Sequence, residues 1–177
     1  MRQKWGGLAV VCATAFLLAA PAAWSGEVHV YMDREIRPAL LEQLNRAERT
    51  IDIQMFTLTD DEVIATLERA EGRGVQVRVI MDPNQSGNQQ HVEELKRSGA
   101  EIKWFPVRRP ALMHRKLAIV DGHTIVAGSV NWTANGFTRN EELMLVIEDA
   151  AAATRLTQVF AEDWYRSWLG RYATYRE

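Results

Sequence analysis

The stretch that decides this sequence is His114-Arg-Lys116-Leu-Ala-Ile-Val-Asp121, followed by Gly128-Ser-Val-Asn131. Residues 112–120 are apolar and β-branched enough to predict a strand. Asp121-Gly122 is a strong signal for a two-residue hairpin turn, so residues 124–129 are predicted to return as a second strand. The stretch therefore predicts an antiparallel hairpin with a group of polar side chains at its open end.

A two-residue turn fixes which residues of the hairpin face one another. Lys116 then lies opposite Ala127 and His114 opposite Ser129, and directly opposed residues share a face of the sheet. His114, Lys116, Ser129 and Asn131 are therefore expected on one side, provided that the strand stays extended to Asn131. A four-residue turn would also place these side chains on one face. A three-residue turn with a bulge would shift the pairing by one residue, and the spacing would then no longer predict a shared face.

These four side chains suit a bound phosphate. An imidazole can attack phosphorus, an ammonium supplies a fixed positive charge, and a hydroxyl and a carboxamide donate hydrogen bonds to oxygen. A lone histidine on a strand is usually structural, but six specified positions at fixed spacing favour a site. We predict that His114 and Lys116 are catalytic and that Lys116, Ser129 and Asn131 bind phosphate.

The pattern H-x-K-x4-D-x6-G-S-x-N resembles the HKD motif of the phospholipase D superfamily. Residues 27–169 are similar to its small single-motif members, the bacterial secreted endonucleases. The resemblance implies an α/β fold with a mixed β-sheet flanked by helices on both faces. It also implies a catalytic carboxylate bonded to the imidazole. We assign that role to Glu142 rather than Glu141, since only one of two successive strand residues faces the site.

Asp121 is the third lettered position of the motif, and the resemblance places it in the catalytic set with His114, Lys116 and Glu142. Its position in the turn points its side chain away from the histidine face. We therefore expect it to brace the turn rather than to take part in the chemistry. His123, one residue beyond the turn, is expected to be an exposed loop histidine.

The rest of the chain alternates strand and helix patterns, which indicates α/β layers. Strands are predicted at 27–32, 50–56, 75–81, 101–105 and 142–147, and helices at 37–47, 59–71, 88–97 and 149–169. No internal repeat or low-complexity linker interrupts this alternation. Residues 26–170 are therefore predicted to be a single catalytic domain, followed by a tail over residues 171–177.

Residues 1–25 are predicted to be a secretory signal. A basic start precedes an apolar run over residues 8–20, and Ala23-Trp-Ser25 offers small residues for cleavage before Gly26. An uncleaved anchor is the alternative, although the run is short for a membrane span. Cys12 is the only cysteine, so the mature chain is expected to be periplasmic and to lack disulfides and thiolate metal sites.

The charge balance excludes a globally basic nucleic-acid-binding protein. The chain has 21 Lys and Arg against 23 Asp and Glu, and its formal net charge is −2. A polyanion must therefore be held by a local patch. We predict that Arg108, Arg109 and Arg115 bind substrate, with Trp104 and Phe105 as neighbouring aromatic residues. The alternative is that Arg108 and Arg109 are solvated loop charges.

The resemblance implies two-step phosphodiester cleavage, in which His114 forms a phosphohistidine that water then hydrolyses. Each step needs an acid and a base at once, which one imidazole cannot supply. His29, His91 and His123 lack a lysine two residues on. Either a carboxylate is the second acid, or two chains share the site. The resemblance favours a homodimer with paired His114 residues at a two-fold interface. No metal or cofactor is expected.

Three functions stay open at this point. The leading one is a metal-independent endonuclease acting on DNA or RNA. The second is a phospholipase D acting on cardiolipin or another phospholipid, for which Ala111, Leu112 and Met113 are the only apolar hint beside the motif. The third is a catalytically silent binding module, against which the intact motif argues.

Overall fold

The computed structural model describes residues 26–167. Its strands are β1 (Glu27–Met32), β2 (Thr50–Met55), β3 (Gln76–Met81), β4 (Glu101–Trp104), β5 (Lys116–Val120), β6 (Thr124–Gly128) and β7 (Leu143–Glu148). Its α-helices are α1 (Ile36–Arg46), α2 (Asp61–Gly72), α3 (Asn88–Ser98), α4 (Ala134–Thr138) and α5 (Ala150–Arg166), and Asp33–Glu35 forms a 3-10 turn. The predicted signal, the end of the last predicted helix and the predicted tail lie outside the described residues.

The strands form one mixed sheet in the order β1-β7-β6-β5-β2-β3-β4. β2, β3 and β4 run parallel to one another, and the other neighbours pair antiparallel. This architecture confirms the predicted α/β class, with helices on both faces of a mixed sheet in one domain. In the part of the chain that the structure describes, no helix has the length and apolar character needed to cross a membrane.

Side-chain alternation divides the core between the two faces of the sheet. On one face, Ile51, Ile53 and Met55 of β2 are fully buried in a cluster with the apolar residues of α1, α2 and α3. On the other face, α5 packs Phe160 and Ala153 against β3, β5 and β6. Strand alternation over the predicted strand 50–56 puts Ile51, Ile53 and Met55 on one face, and the structure confirms this.

The face that α5 covers extends beyond that helix to the edge strand β1. Val28, Val30 and Met32 of β1 pair with alternate residues of β7 and share the face of Ile147, which packs in the α5 cluster. These three side chains and Leu143 of β7 are exposed, and Val30 reaches 58% exposure. We call these four residues the apolar face. Within residues 26–167, this is an apolar surface at the sheet edge that no other element covers.

The motif hairpin differs from its predicted register by one residue. Val120 pairs with Thr124, and Leu117 pairs with Ala127, so the turn holds three residues instead of two. The extra residue is accommodated because Asp121 continues the pairing with β2, its N–H donating to the Thr50 carbonyl at 2.9 Å. The prediction that His114 and Ser129 oppose each other in the ladder is therefore wrong.

The polar side chains nevertheless gather at one edge of the sheet, because β5 begins at Lys116 and β6 ends at Gly128. His114 and Ser129 thus lie outside the ladder, where strand alternation no longer fixes their direction. A Cβ atom on Gly128 would lie 2.1 Å from the Leu143 carbonyl oxygen. Glycine is therefore required at this position for β6 to lie against β7 just before Ser129.

Candidate active site

The candidate residues meet at the edge of the sheet where the parallel strands β2 and β3 end. Phe56 follows β2, His114 lies two residues before β5, Ser129 follows β6, and Glu142 precedes β7. Open α/β sheets characteristically bind ligands beyond the carboxyl ends of their parallel strands. Chain topology therefore brings residues from four strand ends to one place.

The central contact joins the imidazole to the ammonium. Lys116 Nζ lies 3.0 Å from His114 Nε2 and donates to the His114 carbonyl oxygen, also at 3.0 Å. An ammonium has no lone pair, so Nε2 must be the acceptor in this contact. The lone pair that a nucleophile needs is therefore on Nε2, and the imidazole itself is exposed.

Phe56 supports both members of this pair. Its ring meets the His114 ring edge-on at a centroid distance of 4.6 Å, and Lys116 Nζ lies 5.1 Å from its centroid. The Phe56 N–H also donates to the Arg115 carbonyl at 3.0 Å. Sequence reasoning missed Phe56, although it directly follows a buried strand.

Lys116 is 8% exposed. Burial lowers the pKa of Lys116 from its ordinary value, and the carboxylate of Glu142 raises it in part. A desolvated cation of this kind gains more from an anionic ligand than a surface lysine does. The side chain is therefore suited to hold a phosphate oxygen.

Ser129 and Glu142 form a second group beside this pair. The Ser129 hydroxyl donates to Glu142 Oε2 and accepts from the Leu143 N–H at 3.1 Å. Asn140 donates to the other carboxylate oxygen at 3.1 Å. The Glu142 N–H donates to the carboxylate of Asp33 at 2.8 Å. The Glu142 carboxylate is thus held by the Ser129 and Asn140 side chains, and it is close enough to Lys116 to raise the pKa of that lysine.

The predicted bond between Glu142 and the imidazole is wrong. Among the hydrogen bonds of residues 26–167, none joins Glu142 to His114, and Ser129 occupies the carboxylate instead. The reason is the strand order, since β6 lies between β5 and β7 and places Ser129 between the two side chains. Glu142 interacts electrostatically with Lys116, and Lys116 Nζ in turn contacts the imidazole. Glu141, its neighbour, is exposed.

Asn131 lies where the chain leaving Ser129 joins the loop that follows Phe56. The neighbouring Trp132 donates its N–H to the Thr57 carbonyl at 3.1 Å and accepts from Thr59 and Asp60. The Oδ1 atom of Asn131 is buried and has no hydrogen-bond partner in the described structure. Buried polar atoms are nearly always paired, and a rotated amide would present donors here. The N–H donors of the rotated Asn131 amide could bind an oxygen of a phosphate.

Asp121 lies at the opposite end of β5, about 16 Å from Lys116 along the strand. Its carboxylate accepts from the backbone N–H groups of Glu48, Arg49 and Thr50 at 2.7–3.0 Å. Burial raises the pKa of Asp121, but these hydrogen bonds outweigh it and hold the pKa below the ordinary value. These contacts connect the hairpin turn to the start of β2, which is a structural role. The prediction that Asp121 is catalytic is therefore wrong.

We expect Asp121→Ala to lower the free energy of unfolding by about 2–4 kcal/mol, because it leaves three N–H groups unpaired and strains a left-handed residue. Denaturant unfolding would measure this loss, and kcat of the folded enzyme should stay within about twofold of wild type. The loss should be full above the ordinary Asp pKa of about 3.9 and shrink as the pH falls below it.

Asp121→Asn is the matched control, because asparagine tolerates the positive φ and removes only the carboxylate. It should lose less stability than the alanine variant. A large fall in kcat for either folded variant would restore Asp121 to the catalytic set.

Arg115 points to the opposite face of the sheet. Its Nη1 donates to Gln54 at 2.9 Å and pairs with Asp163 of α5. Burial raises the pKa of Asp163, but hydrogen bonds from Arg115 and Gln54 outweigh it and lower that pKa. Asp163 belongs to the helix that covers this face, so the Arg115 guanidinium is directed away from the His114–Lys116 contact. The prediction that Arg115 binds substrate is therefore wrong.

Arg108 and Arg109 are exposed on the loop before the motif. Arg109 lies 3.4 Å from both the side-chain oxygen and the carbonyl oxygen of Asn84. Arg109 and Asn84 border an open groove of about 620 Å³, which is also lined by Gln85, Pro110 and Leu112. Leu112 precedes His114 by two residues in the sequence.

The predicted aromatic neighbours of this patch are not available for stacking. Trp104 is 3% exposed in the core. Phe105 is half-buried on the α5 side, where Arg115 and Arg166 lie over its ring. Within residues 26–167, no group of three or more His, Cys, Asp and Glu side chains could hold a metal ion.

We call the edge of the sheet where His114, Lys116, Ser129 and Asn131 lie the catalytic edge. A mixed sheet with an H-x-K pair and a Gly-Ser-x-Asn segment at this edge defines a phospholipase D-like domain. The family described as "Cardiolipin synthase, PLD-like domain" matches residues 40–164. The chain therefore belongs to the phospholipase D superfamily.

Among curated relatives, a mitochondrial cardiolipin hydrolase from Chlamydomonas reinhardtii is 33% identical over 125 residues, covering 70% of this chain and 55% of that protein. A phospholipase D from Rickettsia conorii is 31% identical over 136 residues, covering 76% and 63%. The chain thus spans somewhat over half the length of these two relatives.

Among solved structures, Nuc from Salmonella typhimurium, a phospholipase D family member, matches with a TM-score of 0.74 at 23% identity, covering 84% of this chain and 100% of that one. NucT from Helicobacter pylori matches with a TM-score of 0.73 at 17% identity, covering 81% and 98%. Both matches show that the fold is shared.

Proposed function

We propose that this protein is a metal-independent phosphodiesterase that cleaves DNA or RNA through a phosphohistidine intermediate. The observation that carries the proposal is the His114–Lys116 contact, in which an exposed imidazole keeps its Nε2 lone pair beside a desolvated ammonium. Ser129 and Asn131 lie at the same edge, and each can donate to a phosphate once the Ser129 hydroxyl turns away from Glu142 and the Asn131 amide rotates. No metal is required, because the ammonium and these donors supply the charge stabilisation.

In the proposed reaction, Lys116 Nζ moves from Nε2 to a non-bridging oxygen when phosphate binds. His114 Nε2 then attacks phosphorus, the bond to the departing alkoxide breaks, and that oxygen takes a proton from a second acid. Water next attacks the phosphohistidine, the P–N bond breaks, and the second group takes the proton from water. The imidazole is thereby regenerated.

We propose that the second acid is His114 of a second copy of this chain. The apolar face of Val28, Val30, Met32 and Leu143 supports a subunit contact, because an exposed apolar surface on an edge strand is typical of one. This face lies on the α5 side of the sheet, whereas Lys116 pairs with Met55 on the other side. The two copies would therefore have to meet across the strand ends, where the Leu143 N–H bonds Ser129, for a two-fold axis to bring the two His114 side chains together.

We expect Val30→Lys to shift the protein from dimer to monomer, because it places a charge in the centre of the apolar face. Activity should fall by at least about 100-fold, since each step then lacks its acid or base. Light scattering would give the solution mass. Tyr165→Lys, at an 89% exposed position on α5, is the control and should change neither property. An active Val30→Lys monomer would contradict the shared site.

Nucleic acid is the favoured substrate because the groove beside the motif carries Arg109 and the amides of Asn84 and Gln85. Cationic and amide groups suit the phosphates and base edges of a nucleic acid. The alternative is a phospholipid such as cardiolipin, favoured by the names of the curated relatives and by Pro110 and Leu112 in the same groove. Leu112 is 48% exposed.

Two assays in EDTA separate these substrates. The purified chain from Gly26 onward should nick plasmid DNA and should leave cardiolipin-containing vesicles intact. Hydrolysis of the vesicles alone would assign the lipid alternative. Because a lipase and a nuclease would share the motif, His114→Ala must remove whichever activity is found.

Secretion to the periplasm forms part of the same proposal, on the pattern of residues 1–25. Mass spectrometry of the protein expressed with its own N-terminus should find a chain that begins at Gly26. A chain retaining residue 1 in the membrane fraction would favour the anchor.

A further inference from the structure

Two polar side chains at the catalytic edge are fully buried, although the proposed reaction uses neither. Asp82 follows β3, and Asn88 is the first residue of α3; both are 0% exposed. Burying such groups is costly unless each polar atom is bonded. Their partners therefore show what the burial achieves.

Asp82 holds the backbone directly before the nucleophile. Its Oδ2 atom accepts from the Met113 N–H at 2.7 Å, and its Oδ1 atom accepts from the Asn84 N–H at 2.7 Å. Met113 precedes His114 in the sequence and is itself buried. One carboxylate thus links the end of β3 to the start of the motif, 31 residues later.

Asn88 holds the loop that carries Phe56. Its Oδ1 atom accepts from the Leu58 N–H at 3.0 Å, and its Nδ2 atom donates to the Phe56 carbonyl at 2.9 Å. Phe56 is the aromatic ring against which the imidazole lies. The amide therefore fixes the surface that limits how the His114 ring can tilt.

We infer that Asp82 and Asn88 are positioning residues that fix the attack geometry of His114, an inference that rests on the proposed function. Asp82 fixes the position of the backbone at Met113, directly before His114, and Asn88 fixes the position of Phe56, whose ring contacts the imidazole. Lys116 Nζ contacts Nε2 only while both are in place. Attack on phosphorus needs Nε2 within about 3–3.5 Å and in line, and a 1 Å displacement can cost about 100-fold in rate.

The experiment measures steady-state hydrolysis of bis(p-nitrophenyl) phosphate by the full mature protein. Asp82→Asn should lower kcat by about 10–100-fold with KM within about threefold, because the amide can accept only one of the two N–H groups with its oxygen. Asp82→Ala should lower kcat further. Asn88→Ala should lower kcat in the same range, since it frees Phe56.

Asp52→Asn is the matched control. Asp52 is a buried carboxylate of β2 on the opposite face, where it pairs with Arg78 at 2.7 Å. Its loss should lower the unfolding midpoint without lowering kcat, when every variant is assayed well below its own midpoint. Wild-type kcat in folded Asp82→Asn, or a loss no larger than that of an equally destabilised Asp52→Asn, would overturn the inference.

The split between kcat and KM is a second readout that a purely structural role would not give. Loss of positioning should lower kcat at nearly constant KM in Asp82→Asn, whereas Asp52→Asn should change neither when assayed well below its unfolding midpoint. A loss in Asp82→Asn that is carried by KM alone would exclude positioning of His114. If wild type and His114→Ala hydrolyse the ester equally, the proposed function itself fails, and the inference fails with it.

Discussion

His114→Ala is expected to abolish phosphodiester hydrolysis, lowering kcat by at least about 10⁴-fold, since no other group can take the place of a covalent nucleophile. Phe56 is the only aromatic ring that contacts the imidazole in the described structure, and His114 is exposed, so the fold should survive. Plasmid nicking and bis(p-nitrophenyl) phosphate hydrolysis in EDTA would measure the loss. Circular dichroism and solution mass should match wild type.

His123→Ala is the matched control for this variant. His123 is an exposed histidine in the hairpin turn, at the far end of β5, and bonds to the neighbouring Thr124 hydroxyl. Its removal should leave kcat unchanged. Substantial cleavage by His114→Ala would show that the assigned chemistry is wrong. A wild-type protein that binds phosphodiesters but never turns them over would support the silent binding module instead.

Lys116→Met is expected to lower kcat by about 10³-fold while making the protein more stable. Activity falls because the cation that holds the non-bridging oxygen is lost. Stability rises because a buried ammonium is replaced by an apolar side chain of similar length, which is worth about 1 kcal/mol, or about 2–4 °C in a domain of this size. Thermal unfolding and steady-state kinetics would measure the two effects.

The stability gain has a defined pH dependence. Burial lowers the pKa of Lys116 in the folded protein, so the unfolded chain binds this proton more tightly. The contribution of Lys116 therefore makes the free energy of unfolding of the wild type rise with pH, from the lowered pKa of Lys116 in the folded protein up to its unfolded pKa of about 10.4. The advantage of Lys116→Met should therefore be full at neutral pH and shrink towards pH 10.

Lys103→Met is the control for this variant. Lys103 is a half-buried lysine of β4 on the α5 face, where it donates to the Trp164 carbonyl at 3.0 Å, whereas Lys116 lies on the other face of the sheet. It should lose stability and keep kcat. A Lys116→Met protein that is less stable than wild type at neutral pH would contradict the unfavourable burial of the ammonium.

The predictions that succeeded rest on local patterns. Alternation in β2 placed Ile51, Ile53 and Met55 on one face, because side-chain direction in a strand depends on the backbone alone. The α/β class followed from strands and helices in turn. The structural role expected for Asp121 agrees with its contacts, but its partners Glu48, Arg49 and Thr50 are more than 70 residues away in the sequence, and the turn pattern does not identify them.

The predictions that failed depend on neighbours distant in sequence. The hairpin gained a residue because Asp121 remains paired with Thr50 of β2, which the hairpin sequence does not contain. Glu142 bonds Ser129 because β6 lies between β5 and β7. Arg115 turns to Asp163 of α5, 48 residues later. Asp82 directly follows the predicted strand 75–81 and Asn88 begins the predicted helix 88–97, and no spacing relates either residue to His114.

By itself, the sequence determined most of the strand and helix pattern, the α/β class and the identity of the His114 and Lys116 pair, because each follows from residue types at short spacing. The tertiary structure decided which side chains touch. It brought four strand ends to one edge, turned Glu142 to Ser129 and Arg115 to α5, and buried Asp82 against Met113. The physical reason is that the partner of a buried polar group is chosen by strand order and packing, which chain neighbours do not encode.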